Sequence, residues 1–194
     1  WSANPRISNT IIRDCTGAQG GGMTLHGADI ILTSSIIEDN FAGHWGGGIS
    51  FKYSTGILSD VIIRNNQAQG SGDPYWNGGG GIWNENSHLV MNDVQITGNT
   101  AIDGAGGGMD VASAMPQGGF PHHYNNVLIN NNSAAGGGGG GIRFVANGGI
   151  HLQNVTIVDN ECPVYGGISC SGNCHEASLN NVIIRNNGDH APSP

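Results

Sequence analysis

The 194-residue sequence predicts an all-β solenoid with little or no helix, and three observations support this class. Glycine runs followed by one apolar residue recur six times, at intervals of 26, 27 or 33 residues. A second repeat, a β-branched run that ends in Asn, alternates with the glycine runs. No segment keeps apolar residues at helical spacing. A repeat of this length is typical of stacked coils, one coil per repeat.

The two repeats together predict two or three short strands in each coil. The β-branched runs have the composition of strands, and the Asn that ends each run favours a turn. Each glycine run leads into another short strand, as in residues 48–51 and 141–144. Strands of successive coils then pair in parallel, about 4.8 Å apart. We therefore expect one parallel β-helix domain of six to seven coils over residues 1–194.

Alternation along the β-branched runs assigns their side chains to two faces. Valine and isoleucine occupy the inward positions: Val61, Val94, Val127, Val155 and Val182, with Ile12, Ile37, Ile63, Ile96, Ile129, Ile157 and Ile184. The asparagines that end the runs occupy one equivalent position: Asn40, Asn66, Asn99, Asn132, Asn160 and Asn187. We interpret them as an inward ladder that caps the backbone at a turn, and so as scaffold.

One outward column of the same runs is more apolar than a solvated face requires. It consists of Ile11, Ile36, Ile62, Leu128 and Ile183, interrupted by Gln95 and Thr156. A contiguous exposed apolar stripe is typical of an interface. We expect a loop, a flanking domain or another subunit to cover this stripe. The predicted partners are therefore the protein itself or flanking β-helix coils.

A second outward column, directly after the glycine runs, is the candidate for chemistry. When the repeats are aligned on their glycine runs, Lys52 is predicted to lie beside Glu85, and Asp110 beside Arg143. A Lys or Arg base could take an α-proton from a uronate, and Glu85 with Asp110 could act as paired carboxylates in glycoside hydrolysis. The alternative is cross-strand ion pairing on a solvated face, worth about 0.2–1 kcal/mol.

Two insertions, at residues 70–76 and 114–124, lengthen the 33-residue intervals. Insertions in solenoids form loops, often on the binding face. Four aromatic residues in or near the first insertion, Trp45, Tyr75, Trp76 and Trp83, could stack on sugar rings. The alternative is that these rings fold down and cover the coil corners.

The cysteines give an expectation about redox compartment. A bridge among Cys162, Cys170 and Cys174 fits an oxidising compartment. Cys15 holds the asparagine-ladder position of the first coil, too far along the rod to reach them, so we expect it to be free and buried or paired outside this chain. The sequence predicts no metal site and no cofactor, although scattered aspartates leave calcium open.

Charge and hydropathy limit the partners. The formal net charge is −8 and Lys plus Arg number only 6, which disfavours nucleic acid. No apolar run is long enough to span a bilayer, so we expect no membrane insertion by this chain. The chain lacks a start methionine and a signal peptide, so we expect it to be a processed piece of a longer chain.

A unit of Asn-x-Ala, a gap, and a glycine run with its apolar residue occurs at residues 66–82, 99–109 and 132–142. This unit resembles the repeats of chlamydial-type polymorphic outer-membrane proteins and of related bacterial right-handed β-helix surface proteins, over roughly residues 5–187. This chain has Ile or Val where that repeat often carries Phe. The resemblance implies a right-handed β-helix in an exported, often adhesive, extracellular or cell-surface protein. It implies no catalytic residues.

Three function classes follow from these observations. The favoured one is an extracellular structural or adhesive rod that self-associates or forms part of a longer surface fibre. The second is a polysaccharide lyase or glycoside hydrolase acting on acidic glycans through Lys52, Glu85, Asp110 and Arg143. The third is a non-catalytic carbohydrate-binding β-helix. On balance we expect a protein that is not an enzyme.

Overall fold

The computed structural model describes residues 4–70, 78–113, 121–146, 149–172, 174 and 177–188. Its regular elements are all strands, which confirms the all-β prediction. In chain order they are β1 (Arg6–Ser8), β2 (Ile11–Arg13), β3 (Thr16–Gln19), β4 (Met23–His26), β5 (Asp29–Glu38), β6 (Phe41–Trp45), β7 (Ile49–Lys52), β8 (Thr55–Arg64), β9 (Gln67–Ala68), β10 (Ile82–Glu85), β11 (His88–Thr97), β12 (Thr100–Ala101), β13 (Met109–Ser113), β14 (His122–Asn130), β15 (Ser133–Ala134), β16 (Ile142–Ala146), β17 (Ile150–Val158), β18 (Ile168–Gly172) and β19 (Ser178–Arg185).

These strands form three parallel sheets that run along the rod. Sheet I has the order β1-β5-β8-β11-β14-β17-β19, and β2 also pairs with β5. Sheet II has the order β18-β16-β13-β10-β7-β4, and sheet III the order β15-β12-β9-β6-β3. A complete coil contributes one strand to each sheet, in the order II, I, III. The architecture is therefore the parallel β-helix that the repeats predicted.

The register confirms the predicted stacking of inward side chains. Val61 pairs with Val94, Val94 with Val127, and Val127 with Val155, and each of the four is at most 2% exposed. Ile184 occupies an inward position but is 46% exposed. The reason is that its strand, β19, lies at the edge of sheet I and has β17 as its one partner within the part of the chain that the structure describes.

The predicted asparagine ladder is present and buried. Asn99 shows the pattern: its Nδ2 donates to the Ile63 carbonyl at 2.9 Å and to Asn132 Oδ1 at 3.0 Å. Its own Oδ1 accepts from the backbone N and the Nδ2 of Asn66, each at 3.0 Å. Each such amide thus joins its own coil to the coil before it and to the coil after it. The ladder is scaffold, as the sequence predicted.

A second set of corners divides each sheet I strand into an upstream half and a downstream half. At this corner one residue of each strand has a positive φ: Ser34, Asp60, Asp93, Asn126, Asn154 and Asn181. Aspartate and asparagine tolerate this left-handed conformation better than other residues with a side chain. Each corner residue lies six positions before a ladder asparagine, so the signal is in the sequence, although our sequence analysis did not use it.

The glycine runs form the corner between sheets III and II. Gly79 has a φ of +67°. A Cβ on Gly80 would lie 2.6 Å from the backbone N of Thr100, and one on Gly81 would lie 2.7 Å from the Gly108 carbonyl oxygen. The run is therefore glycine because backbone atoms of neighbouring coils fill the space of a side chain.

Candidate functional site

The charged column that the sequence singled out lies on the outer face of sheet II in the predicted register. Lys52 pairs with Glu85 across β7 and β10, and Asp110 lies between Trp83 and Arg143 across β10, β13 and β16. These side chains alternate with core residues, so they project away from the rod interior. Nevertheless, Trp83, Asp110 and Arg143 are 1%, 0% and 6% exposed.

The central part of this column is therefore buried, unlike the solvated face that the ion-pairing alternative assumed. Gly78, shortly before β10, lies against Asp110, so that a Cβ on the glycine would be 2.8 Å from Asp110 Oδ2. The Trp45 ring stacks on the Trp83 ring, with centroids 4.8 Å apart. Sequence periodicity assigns a side chain to a face, but it does not show what covers that face.

Asp110 and Arg143 form a buried ion pair, with Oδ2 and Nη1 3.1 Å apart. Burial raises the pKa of Asp110 to about 6, although the Arg143 charge opposes that rise. The other carboxylate oxygen, Oδ1, has no hydrogen-bond partner among the residues that the structure describes. Because both side chains are buried, neither reaches a polymeric substrate in this conformation.

Lys52 and Glu85 also form an ion pair, with Nζ and Oε2 2.8 Å apart. Their side chains are 32% and 15% exposed. The hydrogen bond to Glu85 raises the pKa of Lys52, which keeps the amine protonated near neutral pH. This geometry suits an ion pair better than a proton-abstracting base, which needs a lowered pKa.

The predicted carbohydrate-binding aromatics fall into two groups. Trp45 is half-buried and Trp83 is buried, so Trp83 offers no ring face to a sugar. Tyr75 and Trp76, with most of the 70–76 insertion and residues 114–120 of the second insertion, lie outside the described residues.

The predicted interface stripe lies on the outside of the downstream half of sheet I. Ile36, Ile62 and Leu128 are half-buried by their neighbours. Ile11 and Ile183, at the two ends of the stripe, are 59% and 52% exposed. The largest exposures therefore lie in the terminal coils.

A groove that the sequence analysis missed runs beside this stripe, with a volume of about 410 Å³. Its first wall is formed by the sheet I corner residues Asp60, Asp93, Asn126 and Asn154. Its second wall contains Leu128 of the stripe and the two polar residues that interrupt the stripe, Gln95 and Thr156. The Asn126 amide donates to Asp93 Oδ1, and the Asn181 amide donates to Asn154 Oδ1 at 2.7 Å, so two pairs of corner side chains are joined between neighbouring coils.

A comparison with known families gives one match. Residues 2–117 match the family described as the right handed beta helix region. The chain belongs to this family. The match supports a right-handed coil. A comparison with curated proteins and one with solved structures give no match.

Four histidines of this right-handed β-helix lie together near the start of β11, β14 and β17. His122 is buried, and its Nδ1 accepts a hydrogen bond from the Leu89 backbone N at 3.2 Å. Burial, with the nearby His88 and His123, lowers the pKa of His122 to about 4. The rings of His123 and His151 stack with centroids 4.9 Å apart. His122 is therefore uncharged at neutral pH. The periodicity of the sequence did not predict that this histidine faces the rod interior.

The cysteines of this right-handed β-helix divide into one bridge and two thiols. Cys170 and Cys174 form a disulfide. Cys162 is a buried free thiol, and Cys15 is a half-buried free thiol. The Cys15 backbone N donates to Asn40 Oδ1 at 3.1 Å, which places it at the first position of the ladder.

Within the described ranges, no three His, Cys, Asp or Glu side chains converge as a set of metal ligands. The same residues contain no helix that is long and apolar enough to cross a bilayer.

Proposed function

We propose that this β-helix is a rigid structural and adhesive rod at the cell surface or outside the cell, and that a further β-helical coil stacks on the end formed by β18 and β19. The further coil comes from a second copy or from flanking β-helix sequence. The observation that carries this proposal is the structure of the last described coil, which ends in an open edge.

Inward-facing apolar side chains are uncovered at this end. Leu179 and Ile184 are 52% and 46% exposed, whereas their register partners in the previous coil, Leu152 and Ile157, are 2% and 0% exposed. Among the described strands, the backbone of β19 is paired on one side only, to β17. An apolar, half-paired edge strand is a template for another strand.

At the same end, the last amide of the asparagine ladder has an N–H that could donate to a further coil. Asn187 Nδ2 donates to the Ile157 carbonyl at 2.9 Å, as in every coil. Earlier ladder amides also donate to the asparagine of the next coil, for example from Asn160 to Asn187 at 2.9 Å. Among the described residues, Asn187 Nδ2 has no such second acceptor. An incoming coil with an oxygen at this position would extend the ladder.

The opposite end has matching side chains. Ile7 and Ile12 hold the coil positions of Leu179 and Ile184, because they pair with Leu32 and Ile37 of the same two inward columns. A second copy stacked head to tail would place Ile7 on Leu179 and Ile12 on Ile184. Such a contact is heterologous, and repeating it gives an open fibre.

Two further observations support a non-catalytic, exported role. The Asp110–Arg143 pair is buried, and Lys52 is bound to Glu85 in a second ion pair. Neither pair is therefore arranged to cleave a polysaccharide. The Cys170–Cys174 disulfide is the kind of bond that persists in oxidising compartments outside the cytosol.

The test is the concentration dependence of assembly, followed by light scattering and by electron microscopy of the rods. We expect end-to-end oligomers that Ile184→Asp abolishes. The matched control is Ile57→Asp, an isoleucine that is also exposed, at 38%, but lies in a middle coil between β5 and β11, and we expect this variant to assemble normally. Loss of assembly in Ile36→Asp and Ile62→Asp, with Ile184→Asp unaffected, would indicate lateral association through the stripe and contradict end stacking.

A further inference from the structure

We propose that the groove on the downstream half of sheet I binds an extended, neutral polysaccharide chain. The groove is separate from the charged column of sheet II and from the tryptophans that the sequence singled out. Its shape, its lining and its charge each limit the class of ligand.

The shape fits a linear chain. Lining residues come from four successive strands, β8, β11, β14 and β17, so the groove runs along the rod axis. Three steps of strand spacing give it a length of about 14 Å. Its volume of about 410 Å³ lies in the usual range of ligand sites. An extended oligosaccharide fits these dimensions when its chain runs along the rod axis, so that successive rings lie beside successive coils.

The lining suits hydroxyl groups. Asp60 and Asp93 present carboxylates, which accept hydrogen bonds, and Asn126 and Gln95 present amides, which both donate and accept. Neighbouring hydroxyls of a pyranose need this mixture, because each is both donor and acceptor. Leu128 adds an apolar contact for the C–H face of a ring.

The charge selects against acidic chains. The described lining contains the two carboxylates of Asp60 and Asp93 and no Lys or Arg. The whole chain has a formal net charge of −8. A uronate carboxylate in the groove would face like charges, which costs affinity. The ligand class is therefore neutral, unlike the acidic glycans that the lyase alternative required.

The corner wall is arranged before any ligand arrives. The Asn126 amide is held by Asp93, and Asn154 accepts from Asn181. Strand pairing on both sides fixes the backbone of β11 and β14. Binding then orders few additional side chains, which lowers its entropic cost.

This inference gives the proposed adhesive role a ligand, and it rests on the described groove rather than on rod stacking. A monomeric Ile184→Asp variant keeps the groove and should bind equally well. A loss of polysaccharide binding and a loss of end-to-end assembly are thus separate experimental results.

The experiment measures binding to cellohexaose, chitohexaose and mannohexaose by calorimetry, with oligogalacturonate as the acidic comparison. Gln95→Ala and Thr156→Ala remove groove contacts. Gln153→Ala is the matched control, since Gln153 is also an exposed glutamine of sheet I but lies in the upstream half. Circular dichroism checks that each variant is folded.

We expect at least one neutral hexasaccharide to bind, and Gln95→Ala with Thr156→Ala to weaken it about tenfold while Gln153→Ala has no effect. We also expect Asp60→Asn with Asp93→Asn, which keeps residues that tolerate positive φ, to increase binding of oligogalacturonate. The proposal is overturned if no neutral probe binds, if oligogalacturonate binds the unmodified protein best, or if the groove variants bind as the control does.

Discussion

Asp110 and Arg143 form an ion pair on the outer face of sheet II, yet both side chains are buried. The two residues pair across β13 and β16, and Gly78 lies against the Asp110 carboxylate. The ion pair therefore joins neighbouring coils out of contact with solvent. Its consequences are for stability rather than for catalysis.

Removing one member of this pair should be costly. Asp110→Leu leaves the Arg143 charge buried without its carboxylate, and we expect a loss of about 3–5 kcal/mol in the free energy of unfolding. Asp110→Leu combined with Arg143→Leu should recover part of that loss, because no uncompensated charge remains. Urea unfolding measures both variants. Arg13→Ala, which breaks an exposed ion pair, is the control and should change stability by less than about 0.5 kcal/mol.

His122 should make the rod less stable in acid. Its pKa is about 4 in the folded protein and ordinarily 6.5, so below pH 6.5 the unfolded chain binds a proton that the folded chain does not. Stability is therefore lost as pH falls from about 7 to 4, by up to about 3 kcal/mol.

Protonation of Asp110, whose pKa is raised, acts in the opposite direction over part of this range, so the comparison is between variants. His122→Asn keeps an acceptor for the Leu89 N–H and should flatten the thermal-stability profile between pH 4 and 7. His123→Asn, at an exposed neighbour, should flatten it much less. Equal profiles for His122→Asn and the unmodified protein would contradict the assignment.

The ladder amides should stabilise the rod far more than exposed asparagines do. Asn99→Ala removes two donors and one acceptor: the Ile63 carbonyl and Asn132 Oδ1 each lose a donor, and the buried Asn66 backbone N loses its acceptor. We expect a loss of about 3–5 kcal/mol, measured by chemical denaturation. Asn180→Ala, at an exposed position of β19, should cost less than about 0.5 kcal/mol. Similar losses at both positions would disprove a special role for the ladder.

The glycine corners should reject even a methyl group. On Gly80 a Cβ would lie against backbone atoms of Thr100 and Gly107, which cannot move without shifting a coil. Gly80→Ala should therefore lower stability by about 2–4 kcal/mol. Gly43→Ala is the matched control, because the nearest atom to its Cβ would be 3.8 Å away. Thermal unfolding of the two variants compares them, and a tolerated Gly80→Ala would show that the corner can adjust.

The sequence was sufficient to predict which residues pair. Lys52 with Glu85 and Asp110 with Arg143 lie in the predicted register, since the repeat length sets which residues of successive coils are adjacent. The ladder position of Cys15 followed in the same way. The groove was not predicted, because the sequence analysis treated Gln95 and Thr156 as interruptions of an apolar stripe.

The amino-acid sequence by itself determined the coil, its register, the inward columns and the ladder, because each depends on local periodicity repeated at a constant interval. Tertiary structure alone decided which outward side chains are accessible. Gly78, shortly before β10, lies against Asp110, and the bend at Asp93 and Asn126 opens a groove beside Leu128. Accessibility depends on how chain segments from different coils pack in space, and no spacing within one repeat contains that information.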